Sequence, residues 1–170
     1  MDTAAKKPII LCGFMSSGKT TLGQLLAKEL GYDFADTDQI LVDTYKMTIP
    51  EMFEKGGESY FRDLEHETAK KVCSMEHTVI STGGGMLTFD RNGEVLSKHG
   101  IVVYIDKDFD ACYDLIAQDA NRPLVKMNTK EQLRELYNKR RALYQKYATV
   151  TLENDGSVEE GLKKLLELVQ

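Results

Sequence analysis

The sequence predicts a three-layer α/β domain, a mostly parallel sheet with helices packed on both faces. Three observations predict it. Short, continuous apolar runs read as strands buried on both sides. Amphipathic stretches at helical spacing alternate with those runs. Capping signals open several of these stretches, and the alternation persists to the end of the chain. The 170 residues suffice for one domain with a core of its own. No repeat, low-complexity tract or interdomain linker divides residues 1–170.

The elements follow in order. Ile9-Ile10-Leu11-Cys12 reads as the first strand. A helix follows, with Leu22, Leu25, Leu26 and Leu30 on one face and Gly31 as its stop. A short strand leads to Asp36. Thr48 and Glu51 form a capping box for a short helix, which Gly56-Gly57 interrupts. A longer helix then carries Phe61, Leu64, Thr68, Val72 and Met75. Thr78 to Ser81 is a strand that ends in Gly83-Gly84-Gly85, and Ile101 to Ile105 is another. Asp108 is placed to cap the next helix. Thr129 and Gln132 box a helix reaching about Tyr147, and Thr149 to Leu152 is the last strand. Ser157 and Glu160 open a terminal helix that presents Val158, Leu162, Leu165, Leu166 and Val169 on one face. Residues 1 to about 6 read as a loose terminus.

Composition narrows the function classes. The chain is 42% hydrophobic and 29% charged, ordinary for a soluble globular protein. Its 22 basic residues face 27 acidic ones, for a net charge of -5. A general nucleic-acid binder would carry a basic field instead. No segment approaches the ~20 apolar residues of a membrane span. The apolar stretch from Pro8 to Met15 runs straight into a Gly-bearing loop, unlike a signal peptide. Cys12, Cys73 and Cys112 lack paired metal-type spacing and fit a reducing compartment. The expectation is a cytoplasmic monomer that binds neither nucleic acid nor membrane.

Gly13-Phe14-Met15-Ser16-Ser17-Gly18-Lys19-Thr20 matches G-x-x-x-x-G-K-[ST] between a predicted strand and a predicted helix. Its backbone N–H groups and the helix N-terminus attract phosphate oxygens. Lys19 neutralises the β- and γ-phosphates, and the Thr20 hydroxyl suits Mg²⁺. Asp36-Thr37-Asp38 sits at the end of the second strand, where parallel sheets collect ligands. In an extended segment the two carboxylates point to one side. One would face Mg²⁺ and the other a substrate hydroxyl, unless the pair is a helix cap.

Arg140 falls in the middle of the apolar stripe Leu133, Leu136, Tyr137, Tyr144 and Tyr147 at about 100° per residue. It needs an anion there, from a ligand or an internal salt bridge. Arg141 lies at the edge of that face and reaches water. Arg62 stands within helical reach of Glu58 and Glu65. It pairs with them, or Glu65 steadies it while it grips a substrate carboxylate. Arg122-Pro123 reads as a mobile loop bringing an arginine over the phosphates. Three glycines in a row suit a main chain closely approached by a ligand, or a flexible turn.

Together these motifs resemble the shikimate kinases over nearly the whole chain. They are the loop from Gly13 to Thr20, Asp36-Thr37-Asp38, and Ile49-Pro50-Glu51-Met52-Phe53 leading to Gly57-Glu58-Ser59-Tyr60-Phe61-Arg62. Gly83-Gly84-Gly85, Arg122-Pro123-Leu124 and Arg140 ahead of Leu143-Tyr144 complete the order. The resemblance implies a P-loop kinase fold with a five-stranded parallel sheet, a helical substrate-binding region about residues 37–65, and a mobile lid about 114–128. It implies transfer of phosphate from ATP to the 3-hydroxyl of shikimate, in aromatic amino acid biosynthesis, with Mg²⁺ as cofactor. Lys19 and Arg122 would hold the transferring phosphate, with Gly13, Ser16, Ser17, Gly18, Thr20 and Thr21 also on ATP and Asn154 near the adenine. Thr20 and Asp36 would serve the metal, and Asp38 would be the base. Arg62 and Arg140 would clamp the substrate carboxylate, Gly83, Gly84 and Gly85 would line it, and Phe53 and Phe61 would wall its ring. The chain departs from the family at Ser16, usually glycine. It also has no arginine between Lys107 and Asn121, where the family's lid usually carries one near the adenine. The rival readings are a gluconate or nucleoside monophosphate kinase, or a binding module without turnover.

Overall fold

The computed structural model describes residues 7–118 and 127–170. Among them five strands and seven α-helices alternate. They are β1 Ile9–Cys12, α1 Lys19–Leu30, β2 Asp33–Asp36, α2 Thr37–Tyr45, α3 Ile49–Val72, β3 Thr78–Ser81, α4 Asp90–His99, β4 Ile101–Asp106, α5 Phe109–Ala117, α6 Lys130–Tyr147, β5 Val150–Glu153 and α7 Val158–Val169. A single 3₁₀ turn, Met86–Thr88, follows the triple glycine. The strands form one sheet in the order β2-β3-β1-β4-β5, and every pairing is parallel.

Alternation along the strands divides the core in two. Ile10, Cys12, Ile80, Val102 and Tyr104 face one way and pack on Ala69 and Val72 of α3, Leu96 of α4, and Tyr144 and Tyr147 of α6. Ile9, Leu11, Val79, Val103, Ile105 and Leu152 face the other way, onto Leu22, Leu26 and Ala27 of α1 and Leu165 of α7. Both sheet faces are therefore dry, which is why β1 and the stretch Ile101–Ile105 of β4 read as unbroken apolar runs.

Several local expectations hold in detail. Gly31 closes α1 in the left-handed conformation and bonds back to the Ala27 and Lys28 carbonyls. Thr48 and Thr129 each form both halves of a capping box. At Ser157 the hydroxyl accepts from the Glu160 N–H, the forward half of the box. Gly57, at φ 75° and ψ −170°, breaks the helical geometry within α3. Val158 is 48% exposed, so the inner face of α7 begins further along the helix.

Four further readings are corrected. Met75 lies past α3, which ends at Val72, and reaches the core from the following turn. The last strand runs one residue later than expected, Val150 to Glu153. Helix α4 was not expected, because its buried side carries Asn92 and Gly93 beside Leu96 rather than an apolar stripe. A β-carbon on Gly93 would lie 2.4 Å from the Tyr147 ring, so close helix packing replaces side-chain hydrophobicity there. Asp36-Thr37-Asp38 is not an extended segment: α2 begins at Thr37 with no intervening turn, and Asp36 is its N-cap.

Candidate active site

The carboxyl ends of β1, β2 and β3 come within a residue of level, with Ser81 between Asp36 and Leu11, while β4 runs on to Asp106. The first of these ends feeds the loop from Gly13 to Thr20. Gly18 caps α1 at φ 102°, a conformation that favours glycine. Ser16 also occupies the left-handed region that favours glycine, at φ 59°. The Lys19 ammonium lies back across the loop, donating to the Gly13 carbonyl at 2.5 Å and the Phe14 carbonyl at 3.3 Å. The loop borders a cavity of about 330 Å³ that Lys19, Thr20, Asp36, Asp38 and the segment from Ser81 to Gly84 also line. Ser17 is buried, and its N–H bonds the Phe14 carbonyl.

Asp36 Oδ1 accepts from the Asp38 N–H at 2.8 Å and the Gln39 N–H at 3.4 Å. The cap reading and the ligand reading of this residue are thus compatible, because Oδ1 serves the helix and the carboxylate has a second oxygen. Thr20 and Asp36 bring hard oxygen donors to one cavity, a set suited to Mg²⁺ held mainly by phosphates and water. Asp38, in the first turn of α2, is raised above the usual carboxylate range. Burial is the main cause and the charge of Asp36 the next; Lys19 and Arg62 pull the other way.

The three glycines after β3 explain the rest. None of them adopts a positive φ. What they supply is space. A β-carbon on Gly83 would stand 2.7 Å from Asp38 Oδ1, one on Gly84 3.0 Å from Arg140 Nη1, and one on Gly85 2.8 Å from Arg62 Nη1. Each glycine therefore makes room for a different charged side chain, and the loop gathers one carboxylate and two guanidiniums. The close approach expected of a ligand is made first by the protein's own side chains.

Arg62 pairs with Glu58 and Glu65 of its own helix. Its Nη1 donates to Glu65 Oε1 at 3.0 Å, and its Nε lies 3.6 Å from Glu58 Oε1. Its Cζ stands 5.1 Å from the Phe61 ring centre and 4.6 Å from that of Phe89. Glu65 is buried, and burial holds its carboxyl above the usual range despite the Arg62 partner, so desolvation outweighs the pair's attraction. No carboxylate among the described residues lies within ion-pair distance of Arg140. Arg141, at the edge of the same face, pairs with Asp106 at 3.0 Å. Phe61 sinks into a small core with Leu41 and Met52, while Phe53, 38% exposed, stacks on it at 4.6 Å. The surface ring is therefore Phe53, with Phe61 behind it.

A second cavity, also of about 330 Å³, adjoins the far side of the loop and shares Ser16, Gly18 and Thr21 with the first. Leu115 and Val158 project into it, each 48% exposed. Asn154 lies in its wall, but its amide nitrogen donates to the Ser17 carbonyl at 2.8 Å, a buried tie that shapes the loop from behind. Arg122 with Pro123 and Leu124, the centre of the expected lid, lies outside the described residues. Two side chains of the site escaped sequence reasoning. The Thr37 hydroxyl accepts from the Gly83 N–H at 3.0 Å, and the Tyr144 hydroxyl donates to the Gly84 carbonyl at 2.6 Å. Their only signals were position: Thr37 between the two carboxylates, Tyr144 one helical turn beyond Arg140.

Comparison with known proteins adds an independent line. The family model described as shikimate kinase matches residues 15–170. A shikimate kinase of Thermodesulfovibrio yellowstonii is 39% identical over 163 residues, covering 95% of this chain and 94% of that relative. The solved structure of shikimate kinase from Acinetobacter baumannii in complex with shikimate superposes with a TM-score of 0.87 at 38% identity, covering 98% of this chain and 94% of that one. A gluconokinase from Sinorhizobium meliloti superposes at 0.67 with 14% identity, covering 97% and 92%, and shares the fold alone. A family match across nine-tenths of the sequence, with relatives of equal length at this identity, leads to one assignment: the chain belongs to the shikimate kinase family.

Proposed function

We propose that this enzyme transfers the γ-phosphoryl group of ATP to the 3-hydroxyl of shikimate, giving shikimate 3-phosphate and ADP. The observation that carries the reading is the triple-glycine loop: Asp38, Arg140 and Arg62 each approach one of its glycines, and Asp38, Gly83 and Gly84 also line the cavity beside the P-loop. A hydroxylated carboxylate needs those groups: a base for the hydroxyl and two guanidiniums for the carboxylate.

The steps follow from the side chains. Backbone N–H groups of the loop and the Lys19 ammonium receive the β- and γ-phosphates. Thr20 and Asp36 would hold Mg²⁺, which neutralises charge on the phosphate oxygens. Arg62 and Arg140 take the substrate carboxylate, and Phe53 covers one face of the ring. That grip turns the 3-hydroxyl toward Asp38. As the hydroxyl oxygen bonds to the γ-phosphorus, the bond to the β-γ bridging oxygen breaks. The hydroxyl proton passes to Asp38 and ADP departs. Asp38 is suited to this, because its burial makes it a stronger base than a solvated aspartate. Arg122 is assigned to the transferring phosphate by resemblance, and the purine to the cavity between Leu115 and Val158.

A monomer is the state proposed, and sedimentation velocity checks that. No helix among the described residues is long and apolar enough to cross a membrane. Fractionation of cells tests the cytoplasmic assignment. Turnover is tested by ADP release from Mg·ATP with shikimate as acceptor. Release with gluconate or a nucleoside monophosphate in its place would redirect the assignment.

A further inference from the structure

Asp38 and the two clamp arginines belong to three different helices: α2, α3 and α6. Phosphoryl transfer requires their spacing to be right to a fraction of an ångström, since a misplacement of ~1 Å can cost about a hundredfold in rate. The loop from Thr82 to Gly85 meets all three. Its first residue is still tied to β1, the Thr82 N–H bonding the Leu11 carbonyl at 3.1 Å, and Gly83 to Gly85 lie beyond that pairing.

Two side-chain bonds tie Gly83 and Gly84 to the helices that carry Asp38 and Arg140. From α2, Thr37 Oγ1 accepts the Gly83 N–H at 3.0 Å. From α6, the Tyr144 hydroxyl donates to the Gly84 carbonyl at 2.6 Å. Both side chains are fully enclosed, at 0% and 1% exposure, so water offers no substitute partner. Each sits beside a functional residue of its own helix. Thr37 precedes Asp38, and Tyr144 lies one turn after Arg140 on the same face. The same two glycines make the close approaches: Gly83 to Asp38 and Gly84 to Arg140.

We infer that Thr37 and Tyr144 are positioning residues for the transfer reaction, one setting Asp38 against the glycine loop and the other setting Arg140 against it. The inference rests on the function proposed above. It divides labour between the ties. The Thr37 bond governs the placement of the base and so acts on kcat. The Tyr144 bond governs the carboxylate clamp and so acts on the KM for shikimate. Burial raises the Tyr144 phenol far above its usual range, so it remains a donor at any working pH.

The test is steady-state kinetics of Thr37→Val, Thr37→Ser and Tyr144→Phe, with rates normalised to ATP-binding sites counted by calorimetry. Tyr144→Phe is expected to raise the KM for shikimate about tenfold, with kcat and the KM for ATP within about twofold. Thr37→Val is expected to lower kcat about tenfold, and Thr37→Ser, which keeps the acceptor, to restore it. A purely structural role predicts another pattern: fewer ATP-binding sites, and normal constants per site. That pattern, or unchanged constants in active protein, overturns the inference. Each tie has its own variant, so misfolding of one leaves the other decisive. Failure of the unaltered chain to phosphorylate shikimate overturns the functional reading and this inference with it. Normal turnover with unaffected variants overturns the inference alone.

Discussion

A single methyl group offers a sharp probe of the site. In Gly83→Ala the new β-carbon would start 2.7 Å from Asp38 Oδ1 and 3.3 Å from its Cγ. Carbon–oxygen contacts that close are not tolerated, so the carboxylate must move by about half an ångström or more. Asp38 is half-buried in the first turn of α2 and borders the cavity, so its carboxylate would swing away from Gly83 and lose its present place. The backbone itself accepts alanine, because Gly83 is not at a positive φ. Losing glycine also removes unfolded-state freedom, a gain of about 0.4–1 kcal/mol that works against the local clash. Melting temperature is therefore expected to change little, whereas kcat falls roughly 30- to 100-fold. The KM for ATP should hold within about twofold, because the loop from Gly13 to Thr20 is not touched. The assay is a coupled ADP-release measurement alongside a thermal melt. A kcat within threefold of the unaltered enzyme would refute the claim that Asp38 and Gly83 are placed against each other for catalysis.

Other outcomes follow from the same geometry. Asp38→Asn should lower kcat by about 10²–10⁴ while ATP titration calorimetry shows unchanged affinity; near-normal turnover would remove the base role. The same variant should melt at a higher temperature near pH 7. The folded-state pKa of Asp38 lies above its unfolded value, so its ionised form is a burden at neutral pH that asparagine removes. That advantage should vanish as pH falls below the unfolded pKa, where both states carry the proton. For the same reason the acidic limb of kcat/KM should lie above the ordinary aspartate range of ~3.9, as a pH-rate profile would show. Arg140→Ala should raise the KM for shikimate roughly 10- to 100-fold and leave the KM for ATP nearly unchanged, by initial-rate kinetics. Chelation of Mg²⁺ by EDTA should abolish turnover, and added Mg²⁺ should restore it.

What was legible in the sequence was whatever depends on neighbours along the chain. The phosphate loop is eight contiguous residues between a strand and a helix, so its conformation is a local matter. Caps at Thr48, Thr129 and Ser157 are local too, each spanning three residues. Asp36 and Asp38 were legible as a pair but not in shape, because β2 passes into α2 without a turn to mark the change. Helix α4 was hidden because Gly93 and Asn92 occupy the places where periodicity looks for apolar side chains.

The site's inner construction was less visible for the same reason. The triple glycine announced a close approach, yet its partners, Asp38, Arg62 and Arg140, arrive from three separate segments. Thr37 and Gly83 are 46 residues apart, and Gly84 and Tyr144 are 60 apart. No local pattern encodes such pairings; only the sheet order β2-β3-β1 and the packing of α6 on the core bring them together. Arg140 was legible through conflict, a charge in the middle of an apolar stripe, which marks it as a candidate site residue.

The central claim is that Asp38, Arg62 and Arg140 select shikimate as the acceptor. Its most direct test is ADP release from Mg·ATP with shikimate, gluconate and nucleoside monophosphates offered separately at equal concentration. The account predicts turnover with shikimate and only background release with the others. Background release with shikimate, alongside turnover of another acceptor, would contradict it.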